Sequence, residues 1–319
     1  MLNVAESLIS GILDNDHIAV SRAISLIERG EAVSRTFYSN LYSHTNKAVR
    51  FGITGPPGSG KSTIINEMID CILLNNKSVG VVAVDPTSPF TGGALLGDRI
   101  RMNKYTENDQ VFIRSMGSHG DLGGLSQMAQ ETGDILEASG KEIIIFETVG
   151  VGQAEHDIIK AADLVIVVLV PESGDEIQLM KAGIIEIADL FVINKSDRQG
   201  AGRLAQLLKN TLHSFSNKDR LEPPVLTTTA SQGEGISELY QGAMALLDTL
   251  ASDGHLEERR IERYRLRVLG LIRNQLENEF WTSKRKELFY QSTASIKSLD
   301  QSPLDMANQL IQGEINAER

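Results

Sequence analysis

The chain contains few of the residues that indicate an extracellular or membrane protein. One cysteine, Cys71, occurs in 319 residues, which excludes an intramolecular disulfide and any metal cluster built from several cysteines. The longest apolar run, residues 164–170, is far too short to cross a bilayer, and no basic leader precedes an apolar stretch at the N-terminus. We therefore expect a cytoplasmic protein with no membrane partner.

Basic residues are also scarce relative to acidic ones. Lysine and arginine total 31 against 42 aspartates and glutamates, so the formal net charge is -11. A surface of this charge repels a phosphate backbone, and we expect no nucleic-acid partner. Apolar residues make up 41% of the chain and charged residues 23%, a balance typical of a folded globular protein.

Short β-branched runs alternate with helical stretches along the middle of the chain. The runs, each apolar over nearly its whole length, lie at residues 50–54, 79–84, 143–146, 164–170, 190–193 and 225–228. Continuous apolarity predicts strands buried on both faces. The alternation therefore predicts an α/β fold with a mostly parallel sheet flanked by helices, in which ligands bind at the carboxyl ends of the strands.

Helical patterns at both ends of the chain predict extensions of this domain. In the first, residues 1–46, Asp16 is positioned to cap a helix with apolar positions at Ile18, Ile24 and Ile27, and Gly30 suits its end. Residues 47–254 form the predicted nucleotide-binding domain. In the second extension, residues 255–319, an apolar helical stripe is followed by a short helix starting near Ser302. The stripe comprises Ile261, Tyr264, Val268, Ile272, Leu276 and Phe280.

Residues 55–62 read GPPGSGKS, which matches the phosphate-binding P-loop pattern at every position and follows a predicted strand. Glycines let the backbone N–H groups approach a triphosphate closely. Lys61 would neutralise the β- and γ-phosphates, and the Ser62 hydroxyl would ligate Mg²⁺. The predicted nucleotide contacts in this region are Gly58, Ser59, Gly60, Lys61, Ser62 and Thr63.

Three carboxylates are candidates for the metal and the catalytic step. Asp85 and Glu147 each end a predicted strand at the face where the P-loop opens, and Asp98 lies in a glycine-rich stretch. Gly150 could sense the γ-phosphate through its N–H group. No glutamine directly follows Gly150 to orient an attacking water, so we expect slow intrinsic hydrolysis. Residues 91–97 and 116–124 are candidate switch segments.

Residues 194–197 read NKSD directly after a predicted strand, the pattern of guanine-binding P-loop proteins. The Asp197 carboxylate can accept from two N–H groups of guanine, whereas adenine offers no such pair. The Lys195 stem can lie over the base, and Asn194 can brace the neighbouring loops. A second contact to guanine is expected from Thr229, Ala230 and Ser231, which follow the last predicted strand.

The ordered set of motifs resembles the MeaB/ArgK family of GTPases associated with methylmalonyl-CoA mutase. The resemblance rests on DPTSPF at 85–90, LGDR at 96–99, ETVGVGQ at 147–153 and GDE at 174–176 with Lys181, in addition to the P-loop and NKSD. It implies a homodimeric GTPase chaperone that loads and protects an adenosylcobalamin-dependent acyl-CoA mutase. It also implies that Asp85, Asp98 and Glu147 are metal and catalytic carboxylates and that Lys181 belongs to a partner-responsive switch.

Two other functions are compatible with a P-loop. A metallocentre-insertion GTPase would be expected to carry histidine or cysteine clusters, but the six histidines are scattered without paired spacing. A transport-linked ATPase or kinase would not need Asp197, which favours guanine over adenine. The family resemblance covers most of the chain, from about Leu2 to Trp281.

Overall fold

The computed structural model describes residues 2–29, 35–85, 103–105, 107–117, 122–148, 161–173, 184–215, 222–295 and 301–312. It divides into two compact units, Met1–Arg259 and Arg260–Arg319. In the described part of the first unit, seven parallel strands form one sheet in the order β3-β2-β4-β1-β5-β6-β7. The strands are β1 (Val49–Thr54), β2 (Val79–Asp85), β3 (Val111–Gly117), β4 (Ile143–Thr148), β5 (Leu164–Leu169), β6 (Leu190–Ile193) and β7 (Val225–Thr227).

All six predicted strands are confirmed within two residues at their ends, and β3 was missed. Arg114 and Ser115 interrupt its apolar pattern because β3 lies at one end of the sheet order, where Arg114 pairs with Glu28 of a neighbouring helix. The expectation that every strand is buried on both faces is wrong for β7. That strand lies at the other end of the sheet, and its residues are half-buried or exposed.

Helices cover both faces of the sheet, as the alternating pattern predicts. The helices of the first unit are α1 (Leu2–Leu13), α2 (His17–Glu28), α3 (Arg35–Tyr42), α4 (Lys61–Leu74), α5 (Leu122–Ala138), α6 (Ile184–Ile187), α7 (Ala201–Phe215) and α8 (Ile236–Ser252). One face packs against α4 and α8. The other packs against α1, α2, α3 and α5 over one half of the sheet and against α7 over the other half.

The N-terminal helices follow the predicted pattern with one correction. The Asp16 side chain accepts a hydrogen bond from the Ile18 N–H and caps α2, while Ile24 and Ile27 are buried. Ile18, expected on the apolar face, is instead 63% exposed. It lies on the solvent side of the first turn, whereas Ala19 and Val20 of the same turn are buried. Gly30 lies outside the described residues.

Buried charges are concentrated at the amino ends of the strands. The Arg50 guanidinium lies 2.7 Å from both Asp134 and Glu137 of α5, and all three side chains are buried. Burial alone would lower the pKa of Arg50. The two neighbouring carboxylates raise it by more, so the pKa lies above its ordinary value. Arg259 donates two hydrogen bonds to Asp189. These pairs join α5 to β1 and the start of the helix that begins at His255 to the residue before β6.

The second unit contains most of α9 (His255–Phe280), followed by α10 (Ser283–Ser292) and α11 (Pro303–Gln312). Residues on α9 are nowhere buried, and its large exposed apolar side chains are Ile261, Tyr264, Leu266, Leu269, Leu271, Ile272 and Leu276. Trp281 packs between Phe280 and Phe289, with ring centroids 5.0 and 5.5 Å away. The predicted last helix is confirmed, because Ser302 and Asp305 form its capping contacts. No helix in the described ranges has the length and hydropathy needed to cross a membrane.

Candidate nucleotide site

The P-loop joins β1 to α4 at the carboxyl ends of the strands, as the motif predicts. Gly60 takes a left-handed conformation at the start of α4, which begins at Lys61. The Lys61 side chain is buried, and its Nζ donates to the carbonyl oxygens of Gly55 at 2.7 Å and Pro56 at 3.1 Å. The ammonium group therefore lies within the loop that would surround a phosphate. Ser62 and Thr63 follow in the first turn of α4.

Two glycines make the close packing of this loop possible. A Cβ atom at Gly55 would lie 2.0 Å from the Val168 carbonyl oxygen of β5. A Cβ atom at Gly60 would lie 2.3 Å from Nδ2 of Asn194. Both glycines also have positive φ angles, 143° and 89°, so a side chain would add strain to the overlap. The P-loop is thus pressed directly against β5 and against the loop after β6.

Ser62 and Glu147 bring two oxygen ligands together beside the P-loop. The Ser62 hydroxyl donates to Oε1 of Glu147 at 2.6 Å, and Glu147 is 7% exposed. A hydroxyl and a carboxylate beside a phosphate-binding loop suit Mg²⁺, which prefers hard oxygen ligands. The residues present therefore fit the predicted ion. Asp85 ends β2 as predicted, but its side chain lies outside the described part of the chain, as does all of Asp98.

Asn194 connects the P-loop to the predicted guanine-binding loops. Its Nδ2 donates to the Ser59 carbonyl at 2.9 Å, and its Oδ1 accepts from the Thr228 hydroxyl and the Ala230 N–H at 3.1 Å each. Asn194 is 3% exposed. A buried amide with its donor and acceptor both used fixes three loops relative to one another. This agrees with the bracing contact expected from sequence.

The other residues of the NKSD loop surround Asn194 at the surface. Lys195 adopts a left-handed backbone conformation, φ 57°, and its Nζ donates to the Gly58 carbonyl at 2.9 Å. Its side chain therefore extends to the P-loop. Asp197 is exposed, so its carboxylate is accessible to a purine. The Ser196 and Thr229 hydroxyls lie 2.9 Å apart and join this loop to the next.

The residues after β7 are placed as expected but differ in one detail. Thr229 and Ala230 are buried and Ser231 is exposed. The Ala230 N–H, predicted to support the guanine carbonyl, already donates to Asn194 within the protein. The guanine carbonyl could therefore accept from the Ala230 N–H only by replacing Oδ1 of Asn194 as the acceptor or by sharing this hydrogen with it. Thr228 was not among the residues predicted from the motifs. Its hydroxyl donates a hydrogen bond to Oδ1 of Asn194.

An exposed ion pair lies at the rim of the NKSD loop. Arg198, next to Asp197, hydrogen-bonds to Glu172, which follows β5. The hydrogen bond from Arg198 lowers the pKa of Glu172, and the charges of Arg198 and Lys195 add to this effect. The pair is half-exposed on both sides, so its contribution to stability is small. Gly150, Lys181 and the candidate switch at residues 91–97 lie outside the described residues. Of the candidate switch at residues 116–124, the structure describes only residues 116–117, which end β3, and residues 122–124, which begin α5.

The sequence matches the family model of the methylmalonyl-CoA mutase-associated GTPase MeaB over residues 20–285. Among curated proteins, it is 40% identical over 309 residues to a protein of Pyrococcus abyssi that carries the name of a GTPase, covering 96% of this chain and 95% of that protein. It is 33% identical over 320 residues to GTPase ArgK of Escherichia coli, with 96% and 95% covered.

A mouse relative is named methylmalonic aciduria type A homolog, mitochondrial. It is 31% identical over 295 residues, which cover 87% of this chain and 71% of that protein. Among solved structures, a crystal structure titled LAO/AO transport system kinase superposes with a TM-score of 0.70 over 98% of both chains. Its identity is 24%, so this likeness shows the fold alone: a parallel sheet with a P-loop.

Proposed function

The chain belongs to the family of methylmalonyl-CoA mutase-associated GTPases, and from this membership we propose that it uses GTP and Mg²⁺ to act as a chaperone of an adenosylcobalamin-dependent acyl-CoA mutase. The GTPase class follows from the family and from its named relatives. The observation that best supports guanine specificity is the Asn194 side chain, which joins the P-loop to the NKSD loop. The loops proposed to bind the phosphates and to recognise the base therefore belong to one hydrogen-bonded site.

Each group in the proposed site has a distinct role in hydrolysis. The backbone N–H groups of residues 58–63 and the Lys61 ammonium would hold the phosphates, and Lys61 would offset the charge that develops on the leaving phosphate. Ser62 and Glu147, with Asp85 and Asp98, would hold Mg²⁺ or its waters. When bound, this ion would neutralise part of the negative charge of the phosphates. Asp197 would accept from guanine and exclude adenine.

We propose that intrinsic GTP hydrolysis is slow and that a partner controls its rate. Val151 and Gly152 separate Gly150 from Gln153, so the usual water-positioning glutamine is missing. A low intrinsic rate lets the bound nucleotide act as a timer for a partner. We assign the partner response to residues 174–176 with Lys181 and the signal for the γ-phosphate to Gly150. We propose the cytoplasm as the compartment, and the single cysteine, which allows no intramolecular disulfide, is compatible with a reducing environment.

The mutase is proposed as the partner because the family is named for its association with methylmalonyl-CoA mutase and the mouse relative is named for methylmalonic aciduria. A homodimer is proposed from the exposed apolar residues of α9. A helix of 26 residues without a buried side chain gains stability when a partner surface covers its apolar residues. Leu269→Glu with Leu276→Glu should convert a dimer to a monomer in sedimentation experiments, whereas an unchanged mass contradicts this assignment.

The proposed function is tested by nucleotide titration followed by capture of the client. GTP should bind tightly with Mg²⁺, and ATP should bind at least about a hundredfold more weakly, because its purine edge leaves Asp197 unpaired. With a non-hydrolysable GTP analogue and adenosylcobalamin, the protein should co-purify with an acyl-CoA mutase, and the mutase should change the rate of GTP turnover. Equal affinity for ATP and GTP would contradict the proposed guanine specificity. A GTP turnover rate that is the same with and without the mutase would contradict the proposed chaperone role.

A further inference from the structure

A buried hydrogen bond between two threonines joins the carboxyl ends of β4 and β1. The Thr148 hydroxyl donates to the Thr54 hydroxyl at 2.8 Å, and the residues are 2% and 3% exposed. Thr54 directly precedes the P-loop, and Thr148 directly follows Glu147. Thr148 lies within the ETVGVGQ segment, but neither hydroxyl has been assigned a contact to the nucleotide or the metal. The bond nevertheless lies between the two segments that carry the candidate ligands of Mg²⁺.

The threonine bond begins where the backbone ladder between these strands stops. On the β5 side, β1 remains paired through Thr54, which is opposite Val167. On the β4 side, the ladder ends one residue earlier, at Ile53 opposite Glu147. Thr148 is itself held by β2, where it pairs with Val84, the residue before Asp85. The hydroxyl bond therefore replaces the missing ladder contact and links the ends of β2, β4 and β1.

The two threonines and the metal ligands lie on opposite faces of the sheet. Glu147 alternates with Ile143 and Ile145, which pack on the α4 face, and its carboxylate reaches Ser62 at the start of α4. Thr148 alternates with Phe146, which packs on the other face. The strand end is thus held on one face by Ser62 and on the other by Thr54. Without the second contact, the end of β4 would keep only its backbone pairing to β2 and to Ile53 of β1, which leaves the Glu147 carboxylate freer to shift away from Ser62.

We infer that Thr54 and Thr148 are positioning residues for Mg²⁺, acting through Ser62 and Glu147 without touching the ion. This inference rests on the proposed Mg²⁺ dependence. A group that orients a metal ligand through one hydrogen bond commonly changes metal affinity by about ten- to a hundredfold. Loss of the hydroxyl bond should therefore weaken the effect of Mg²⁺ on the bound nucleotide while nucleotide binding without the metal is preserved.

The test compares release of a fluorescent GDP analogue in excess Mg²⁺ with release in EDTA. Thr148→Val keeps the shape of the side chain but removes the hydroxyl. It should lower the ratio of the two release rates by about tenfold, with the EDTA rate unchanged. Thr148→Ser should restore the ratio. Thr54→Val should match Thr148→Val, and the double variant should lose no more than either single variant, because all three lack the same bond.

Thr132→Val is the matched control. Thr132 is also fully buried, but its hydroxyl contacts Met116 on the α5 side of the sheet, so the ratio should stay at the wild-type value. A wild-type ratio in Thr148→Val, or an equal loss in Thr148→Ser, overturns the inference alone. If the wild-type protein releases GDP at the same rate in excess Mg²⁺ and in EDTA, both the proposed Mg²⁺ dependence and the inference are overturned. The release assay measures only nucleotide-bound protein, so a reduced yield of a variant does not alter the ratio.

Discussion

Two buried lysines at opposite ends of the strands have different surroundings. Lys61, at the carboxyl ends, donates to P-loop carbonyls and lies among groups arranged for a phosphate. Lys141, before β4 at the amino ends, donates to Asn15 at 2.8 Å and to the Asp109 carbonyl at 2.6 Å. Arg50, also at the amino ends, is neutralised by two carboxylates. The cation at one end is thus proposed to bind a ligand, while those at the other end tie helices and loops to the sheet.

The largest effect is expected from breaking the Arg50 cluster. Arg50→Met leaves Asp134 and Glu137 as buried carboxylates without their cation, which should lower the free energy of unfolding by about 3 to 5 kcal/mol. Urea unfolding of the nucleotide-free protein measures this. Arg198→Met is the control, because Arg198 and its partner Glu172 are both half-exposed, and this pair should contribute about 1 kcal/mol or less. Similar losses in both variants would remove the distinction between buried and exposed pairs.

Lys61→Ala should have the opposite consequence, a loss of turnover with little loss of stability. Removing one preorganised donor from the phosphate site should reduce GTP hydrolysis by about a hundred- to a thousandfold. Lys141→Met removes an equally buried lysine from the other end of the strands and should leave hydrolysis near the wild-type rate. GTP turnover per bound nucleotide is the measurement. If both variants lose activity alike, the two ends do not have separate roles.

Asp197→Asn tests the specificity of the ligand-binding end. The amide loses one acceptor for guanine N–H groups and gains a donor, which suits the extra carbonyl of xanthine. The variant should therefore lose about a hundredfold or more in its preference for GTP and gain affinity for the xanthine nucleotide. Competition binding of the two nucleotides measures the change. Ser231→Ala, at the exposed end of the other base loop, should alter selectivity less. Unchanged selectivity in Asp197→Asn contradicts the assigned role of the NKSD loop.

The sequence predicts the features of these two ends that depend on local patterns and misses those that depend on contacts between distant residues. Continuous apolar runs and the P-loop and NKSD motifs are local patterns, and they predicted six strands, the position of Lys61 and the bracing role of Asn194. The Arg50 cluster and the Thr54–Thr148 bond join residues 84 to 94 positions apart. No local pattern marks such pairs, because a threonine at a strand end or an arginine beginning a strand is ordinary until the sheet brings its partner close.

The smallest effect is expected from the pH dependence of Lys141. Burial lowers its pKa from the ordinary 10.5 to about 8, partly offset by the charge of Asp109. The unfolded chain therefore binds more protons between these two values, and stability should rise with pH in that window. The rise attributable to Lys141 is at most about 3 kcal/mol, since one pKa unit corresponds to about 1.4 kcal/mol.

The change attributable to Lys141 is isolated by a difference measurement. The pKa of Tyr105 is raised by burial and by its hydrogen bond to Asp70, so its contribution to stability is lost at pH values above its ordinary pKa of 10. Wild type and Lys141→Met share this loss. Their difference in unfolding free energy from pH 7.5 to 10.5 should therefore shift in favour of the wild type, whereas Lys77→Met, at an exposed lysine, should show no such shift. A flat difference for Lys141→Met would mean that the lysine is solvated in the folded protein, and the contrast with the ligand-binding end would then rest on Arg50 alone.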